Sequence, residues 1–123
     1  MLPNRMNLTK QTEDNLKKLK QYTGIAPNVS SRIALFRSIE SGFTYIPAEP
    51  IETERKLDGN LVLDKVTWMG DTQLVSEQLL KLKYPGLEGR SLMSAWAAHV
   101  EDGIAGIRNH KHINEFSNAI ATK

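Results

Sequence analysis

The amino-acid sequence predicts an all-α or mainly α fold in one compact domain. Several stretches repeat apolar residues at the helical period of about 3.6 residues, and capping residues stand where such helices would begin or end. Stretches rich in β-branched residues are few and short. At 123 residues the chain can build a real core, but it is short for two domains. We expect one domain with an N-terminal half (residues 1–42), an irregular connector (43–70) and a helical C-terminal half (71–123).

The N-terminal half begins with an alternating segment over residues 3–8. Arg5 and Asn7 fall on one side of it, and Met6 and Leu8 on the other, which predicts either a short strand or an extended arm. Met6 and Leu8 would face the core.

A first helix is predicted between an N-cap at Thr9 and a C-terminal glycine at Gly24. Its inward side would carry Thr12, Leu16, Leu19, Tyr22 and Thr23. Lysines fall on its other side, and acidic residues stand early in the helix, as the helix dipole favours. These lysines are Lys10, Lys17, Lys18 and Lys20.

A second helix is predicted from an N-cap at Asn28 to about Ser41, closed by Gly42. A broad arc of this helix is apolar and should be deeply buried, either in the core of the chain or in an oligomer interface. The arc consists of Val29, Ile33, Leu35, Phe36 and Ile39. The opposite side has only the small residues Ser30, Ala34 and Ser38, so another helix could approach it closely.

In the connector, residues 61–63 and 66–68 are β-prone but brief, which fits a small hairpin or an irregular buried segment equally well. A third helix, capped by Asp71 or Thr72, should run to Lys83 with Val75, Leu79 and Leu82 inward.

The longest helix is predicted over residues 91–108, and a short one over residues 113–121. The apolar stripe of the long helix consists of Leu92, Met93, Trp96, Val100, Gly103, Ile104 and Ile107. Glycines inside a helix cost about 1 kcal/mol each relative to alanine, so Gly103 and Gly106 predict close helix packing.

Composition and motifs exclude several kinds of chemistry. The chain has no cysteine, hence no disulfide, thiolate metal site or cysteine nucleophile. It also lacks the glycine-rich nucleotide-binding loops, the GxSxG motif of serine hydrolases and the HExxH zinc motif. We predict no catalytic residue, no cofactor and no bound metal. No apolar run reaches the length of about 18 residues that a membrane span needs, and we expect a cytoplasmic protein.

The histidines do not predict a metal site. On one helix, Glu101 would project away from the apolar stripe while His99 lies at the edge of that stripe, so they cannot share a ligand. His99 and Asp102 are three residues apart and could hydrogen-bond. We interpret His99 as a structural histidine and expect His110 and His112 to face solvent.

The order of elements in residues 1–42 resembles that of the ribbon-helix-helix DNA-binding proteins. In those proteins, paired strands from two subunits enter the major groove and the second helix holds a phosphate at its N-terminus. The resemblance implies groove-facing residues at Arg5, Asn7 and Thr9. It implies a phosphate clamp at Asn28, Val29 and Ser30.

A more specific resemblance lies in the strings MLPNRMNLTKQTEDNLKKLKQYTG, RIALFRSIESG, LDKVTWMGD and WAAHVEDGIAGIRNH. Together they resemble the DndE family of the bacterial Dnd system, in which sulfur replaces a non-bridging phosphate oxygen of DNA. The resemblance implies a helical tetramer that binds duplex DNA, preferentially nicked, through grouped lysines that match Lys17, Lys18 and Lys20. It implies partners that supply sulfur, electrons and energy: a cysteine desulfurase, an iron-sulfur protein and an ATPase.

Four hypotheses follow. The first is a non-catalytic DNA-binding subunit of the phosphorothioation machinery, and the second is a sequence-specific ribbon-helix-helix repressor. The third is an assembly adaptor whose lysines meet acidic surfaces of a partner, for which the charged residues 48–56 are an exposed candidate. The fourth is a small enzyme built on His99 and Asp102. We favour the first hypothesis. The tetramer that it implies does not require residues 3–8 to form a paired strand that reads the groove.

Overall fold

The computed structural model describes residues 1–108, apart from the side chains of Ile51 and Arg108. The prediction of a mainly α fold is confirmed. In chain order the elements are β1 (Arg5–Met6), α1 (Lys10–Thr23), α2 (Pro27–Ser41), β2 (Leu63–Asp64), α3 (Lys65–Met69), α4 (Gln73–Lys83) and α5 (Arg90–Arg108). Short 3-10 turns occupy Ile51–Thr53 and Gly70–Thr72. The helix predicted over residues 113–121 lies outside the described residues, as do His110 and His112.

Helix α1 begins and ends as predicted. The side chain of Thr9 accepts a hydrogen bond from the backbone N–H of Thr12 at 3.2 Å, and Gly24 takes a left-handed conformation with φ of 73°. The predicted start of α2 is wrong. Its N-cap is Ala26, which makes no side-chain capping bond, and Pro27 occupies the first turn, where its fixed φ suits a helix. Asn28 instead donates its side-chain amide to Thr67 O at 3.1 Å.

Helices α2 and α5 pack at very short range at Gly103, as predicted, whereas no described atom outside α5 lies within 4 Å of a Cβ placed on Gly106. A Cβ atom placed on Gly103 would lie 2.0 Å from the carbonyl oxygen of Ala34. The small-residue side of α2 is therefore the buried one. Within the single chain most of the apolar arc is not deeply buried, because Val29 is 38% exposed and Ile33, Phe36 and Ile39 are only half-buried. Burial of this arc in an oligomer interface stays a prediction.

The only sheet among residues 1–108 is a two-stranded antiparallel pair, with Arg5 opposite Asp64 and Met6 opposite Leu63. The N-terminal segment is thus a short strand that pairs within its own chain. Met6 and Leu8 are buried, as predicted. Residues 66–68 are helical and not part of a hairpin, and the indole N–H of Trp68 donates to Met6 O at 2.8 Å.

Helix α4 buries a different face from the one predicted. Its buried residues are Ser76, Glu77 and Leu80, whereas Val75 is 53% and Leu82 is 78% exposed. By contrast, the whole predicted stripe of α5 is buried, and its Trp96 ring meets Trp68 edge-on at a centroid distance of 5.4 Å. In residues 1–108 no helix is both long and apolar enough to cross a membrane.

Candidate nucleic-acid interface

Positive charge is concentrated in the N-terminal half of the chain. Residues 1–42 contain seven basic and three acidic side chains, whereas the remaining residues contain nine basic and eleven acidic ones. A net charge of only +2 for the whole chain therefore conceals a basic half. Such local clustering attracts anions when its side chains reach solvent.

The lysines of α1 do reach solvent. Lys10, Lys17, Lys18 and Lys20 are all exposed, and we call this set the lysine face. Lys17 Nζ forms an ion pair with Glu13 Oε2 at 3.1 Å. In the part of the chain that the structure describes, the ammonium groups of the other three have no ion-pair partner. The charges of Lys18 and Lys20 are therefore available to an external anion, while Lys10 also interacts electrostatically with Glu13 and Asp58.

Glu13 sets the orientation of this helix. Its side chain is buried, and its Oε1 accepts the backbone N–H of Leu61 at 2.6 Å. Burial alone would raise the pKa of Glu13, but the hydrogen bonds from Leu61 and Lys17 outweigh it and lower the pKa, so the carboxylate stays charged. The sequence interpretation assigned Glu13 only to the helix dipole. Its position three residues before the inward Leu16 was a signal of burial.

The predicted groove-facing residues have internal partners. Arg5 is exposed, and its guanidinium bonds Asp64 Oδ1 at 3.2 Å and Val62 O at 3.3 Å. The Asn7 amide donates to Leu57 O at 2.7 Å and to Gly59 O at 3.1 Å, and Thr9 is the buried N-cap of α1. Asn7 and Thr9 therefore hold the connector and the helix start. Only Arg5 offers a charge at the surface.

The residues of the predicted phosphate clamp lie together in the first turn of α2. The Ser30 side chain is fully buried, and its hydroxyl has no hydrogen-bond partner in the described structure. The Asn28 amide is engaged by Thr67 O. The clamp was predicted from backbone N–H groups, and those of Val29 and Ser30 both donate to Ala26 O, at 3.1 and 3.0 Å. Phosphate binding at this helix start stays a prediction.

An aromatic side chain accompanies the lysine face. Tyr22 was expected inside, yet it is 74% exposed and lies one helical turn after Lys18. Exposed aromatic rings between basic side chains are a common feature of surfaces that bind unpaired bases. Helical periodicity missed this residue because tyrosine counts as apolar in such patterns.

His99 belongs to a buried hydrogen-bond network and does not reach the surface. Its Nδ1 lies 2.8 Å from Ser38 Oγ, and its Nε2 lies 2.7 Å from the Tyr84 hydroxyl. Ser38 also donates to Asp102 Oδ2 at 2.7 Å, so the expected link between His99 and Asp102 runs through a serine. Burial, aided by nearby Lys83, lowers the pKa of His99 to about 4. No cluster of potential metal ligands occurs among residues 1–108.

The chain matches a known protein family over most of its length. The DndE family, described as DNA sulphur modification protein DndE, matches residues 5–115 of the chain. The chain belongs to the DndE family.

Solved DndE structures support this membership. DndE from Escherichia coli B7A, described as involved in DNA phosphorothioation modification, is 60% identical over 89% of this chain and 100% of that one, with a TM-score of 0.81. A DndE variant with glycines replaced by lysine, described as involved in DNA phosphorothioation, is 59% identical over 86% of this chain and 98% of that one, with a TM-score of 0.78. No curated protein matches the chain.

Proposed function

We propose that this DndE family member is a non-catalytic subunit of the DNA phosphorothioation machinery that binds duplex DNA, preferentially nicked, through its lysine face. One observation carries the DNA-binding part of the proposal: Lys10, Lys18 and Lys20 project into solvent from one helix with no internal ion-pair partner among the described residues. The related structures described as involved in DNA phosphorothioation support the assignment to that machinery.

The non-catalytic role is proposed from composition and burial. Sulfur relay through a protein persulfide requires a cysteine, and this chain has none. His99, the centre of the alternative enzyme hypothesis, is fully buried with both ring nitrogens bonded internally. DNA could not approach it, so we propose that sulfur, electrons and energy come from other Dnd proteins, including the iron-sulfur protein and the ATPase.

Lysine side chains favour a sequence-independent contact. An ammonium group is a mobile point charge that suits phosphate oxygens and carries no information about bases. The repressor alternative would need Arg5, Asn7 and Thr9 free for base readout. Since Asn7 and Thr9 already bond within the chain, the structure favours the lysine mode, with Arg5 as a secondary contact.

A homo-oligomer, which we propose is a tetramer, would bring several lysine faces together. Leu74, Val75 and Leu82 expose 66%, 53% and 78% of their surface on α4, and such apolar surface favours association. Bending intact duplex over a short site costs several kcal/mol. A nick relieves much of that stiffness, so a curved set of lysine faces would bind nicked DNA more tightly. Because bacterial DNA lies in the cytoplasm, we propose that location.

The test compares two charge-matched double variants. Lys18→Glu with Lys20→Glu changes the lysine face, and Lys56→Glu with Arg90→Glu makes the same charge change at exposed residues away from α1. Affinity for nicked and intact duplex of one sequence is measured by fluorescence anisotropy across a salt series. Each lost phosphate contact should reduce the slope of log affinity against log salt by about 0.9.

We expect the lysine-face variant to lose both affinity and slope, and the control to retain both. Equal loss in the two variants would show a response to overall charge and would refute the lysine face as the DNA surface. Strong preference for one sequence over bulk DNA would instead support the repressor. Equal affinity of the wild type for nicked and intact duplex would refute the nick preference.

A further inference from the structure

An open groove lies between the connector and the start of α5. It has a volume of about 670 Å³. Its apolar lining includes Tyr45, Leu57, Leu87 and Met93. Tyr45 and Met93 are buried and Leu57 and Leu87 half-buried, so these side chains form a floor with apolar edges. Such a concave apolar surface can accept a side chain from another molecule.

Two exposed cations line the groove from opposite parts of the chain. Lys56 comes from the connector and Arg90 from the first turn of α5. Within residues 1–108 neither has an ion-pair partner, unlike the neighbouring Arg55, which pairs with Glu101. Their charges are therefore available to whatever enters the groove.

The carboxylates of the groove are already engaged within the chain. Glu54 Oε2 accepts the Tyr45 hydroxyl at 2.8 Å and the backbone N–H of Ala48 at 2.9 Å. Asp58 Oδ1 accepts the backbone N–H of Lys10 at 2.9 Å, a bond that lowers the pKa of Asp58. The groove thus offers apolar surface and two unpaired positive charges, whereas its negative charges have internal roles.

We propose that this groove binds a short extended segment of a partner protein in which acidic residues flank an apolar residue. The apolar side chain would lie on the floor, and the carboxylates would pair with Lys56 and Arg90. A DNA strand fits less well, because its phosphates could pair with Lys56 and Arg90 but would leave the apolar lining of the groove without an apolar partner. Tyr45 is only 8% exposed, so its ring is not available for base stacking. The identity of the partner as a Dnd protein rests on the proposed function.

The test uses the purified iron-sulfur protein and the purified ATPase of the system as probes, each measured by biolayer interferometry against full-length chain. The variants are Lys56→Glu with Arg90→Glu in the groove and Lys18→Glu with Lys20→Glu on the lysine face. All four side chains are exposed, so both variants should fold, and circular dichroism checks this. Leu87→Gln tests the floor without changing charge.

We expect the groove variant to bind one of the two probes at least tenfold more weakly, with unchanged affinity for DNA. The lysine-face variant should show the opposite pattern, and Leu87→Gln should weaken probe binding. The conservative Lys56→Arg with Arg90→Lys should retain it.

Probe binding within twofold of wild type in the groove variant would overturn the inference, as would failure of both probes to bind wild type. A parallel loss of DNA affinity would overturn it too, by making the groove part of the DNA surface. Groove-dependent probe binding by a chain that ignores DNA would support the inference while refuting the DNA-binding proposal.

Discussion

The contact between α2 and α5 makes a strong prediction about two glycines of one helix. Alanine at position 103 would place its Cβ 2.0 Å from Ala34 O and 2.5 Å from the carbonyl carbon of the same residue. These are backbone atoms, so no rotamer change can relieve the clash, and the helices must separate. We expect overpacking to cost about 3 kcal/mol or more, against about 1 kcal/mol gained in helix propensity. Gly103→Ala should therefore destabilise the fold by about 2 kcal/mol or more.

Gly106→Ala is the matched control in the same helix. No described atom outside its own helix lies within 4 Å of the position of its Cβ, so the same substitution should gain up to about 1 kcal/mol from helix propensity alone. Urea unfolding followed by circular dichroism measures both free energies. If the two variants have the same stability, the reasoning that Gly103 is required by helix contact is refuted.

Three further predictions concern other parts of the molecule. The pKa of His99 is lowered from 6.5 to about 4, so between these values the unfolded chain takes up a proton that the folded chain does not. Stability should fall as pH decreases through this window, by on the order of 3 kcal/mol in total, and urea unfolding of His99→Gln from pH 7 to 4.5 should show a flatter profile. Arg32 donates to Trp68 O at 2.8 Å and Thr67 O at 2.9 Å, so Arg32→Ala should destabilise by about 1.5 to 3 kcal/mol in the same assay. Unchanged stability would contradict these contacts. Tyr22→Ala should leave the stability of the fold unchanged. If the ring stacks on a base at a nick, the substitution should weaken binding to nicked duplex about fivefold or more and leave binding to intact duplex unchanged. An equal effect on the two duplexes would exclude stacking.

Local signals were sufficient to predict α1 and α5. Capping by Thr9 and termination at Gly24 depend on residues a few positions apart, and the buried stripe of α5 follows from helical period alone. The orientation of α4 was not predictable in this way. Its inward Glu77 bonds the backbone N–H of Leu2 and the ammonium of Lys65, and periodicity cannot detect partners so distant in sequence.

For the candidate site too, the sequence predicted some features and not others. Exposure of the lysine face followed from the pattern of α1, because charged residues opposite an apolar side reach solvent. The internal roles of Asn7 and Ser30 did not follow from any pattern. Asn7 bonds carbonyl groups of a connector some fifty residues away, and Ser30 lies on the side of α2 that α5 covers at short range. Short polar residues suit both surfaces and interiors, so sequence alone leaves their position open.

The sheet is small, and two buried carboxylates help it to hold the long irregular segments in place. Glu13 bonds the N–H of Leu61, and Glu77 bonds the N–H of Leu2 at 3.1 Å, so each ties a segment outside the helices to a helix. For Glu77 too, burial would raise the pKa, but bonds from Gln73, Leu2 and Lys65 lower it. Leaving such a backbone N–H without an acceptor costs about 1 to 3 kcal/mol. The same Glu13 that holds the connector also takes up the charge of Lys17. The charge available to DNA is therefore concentrated on Lys10, Lys18 and Lys20.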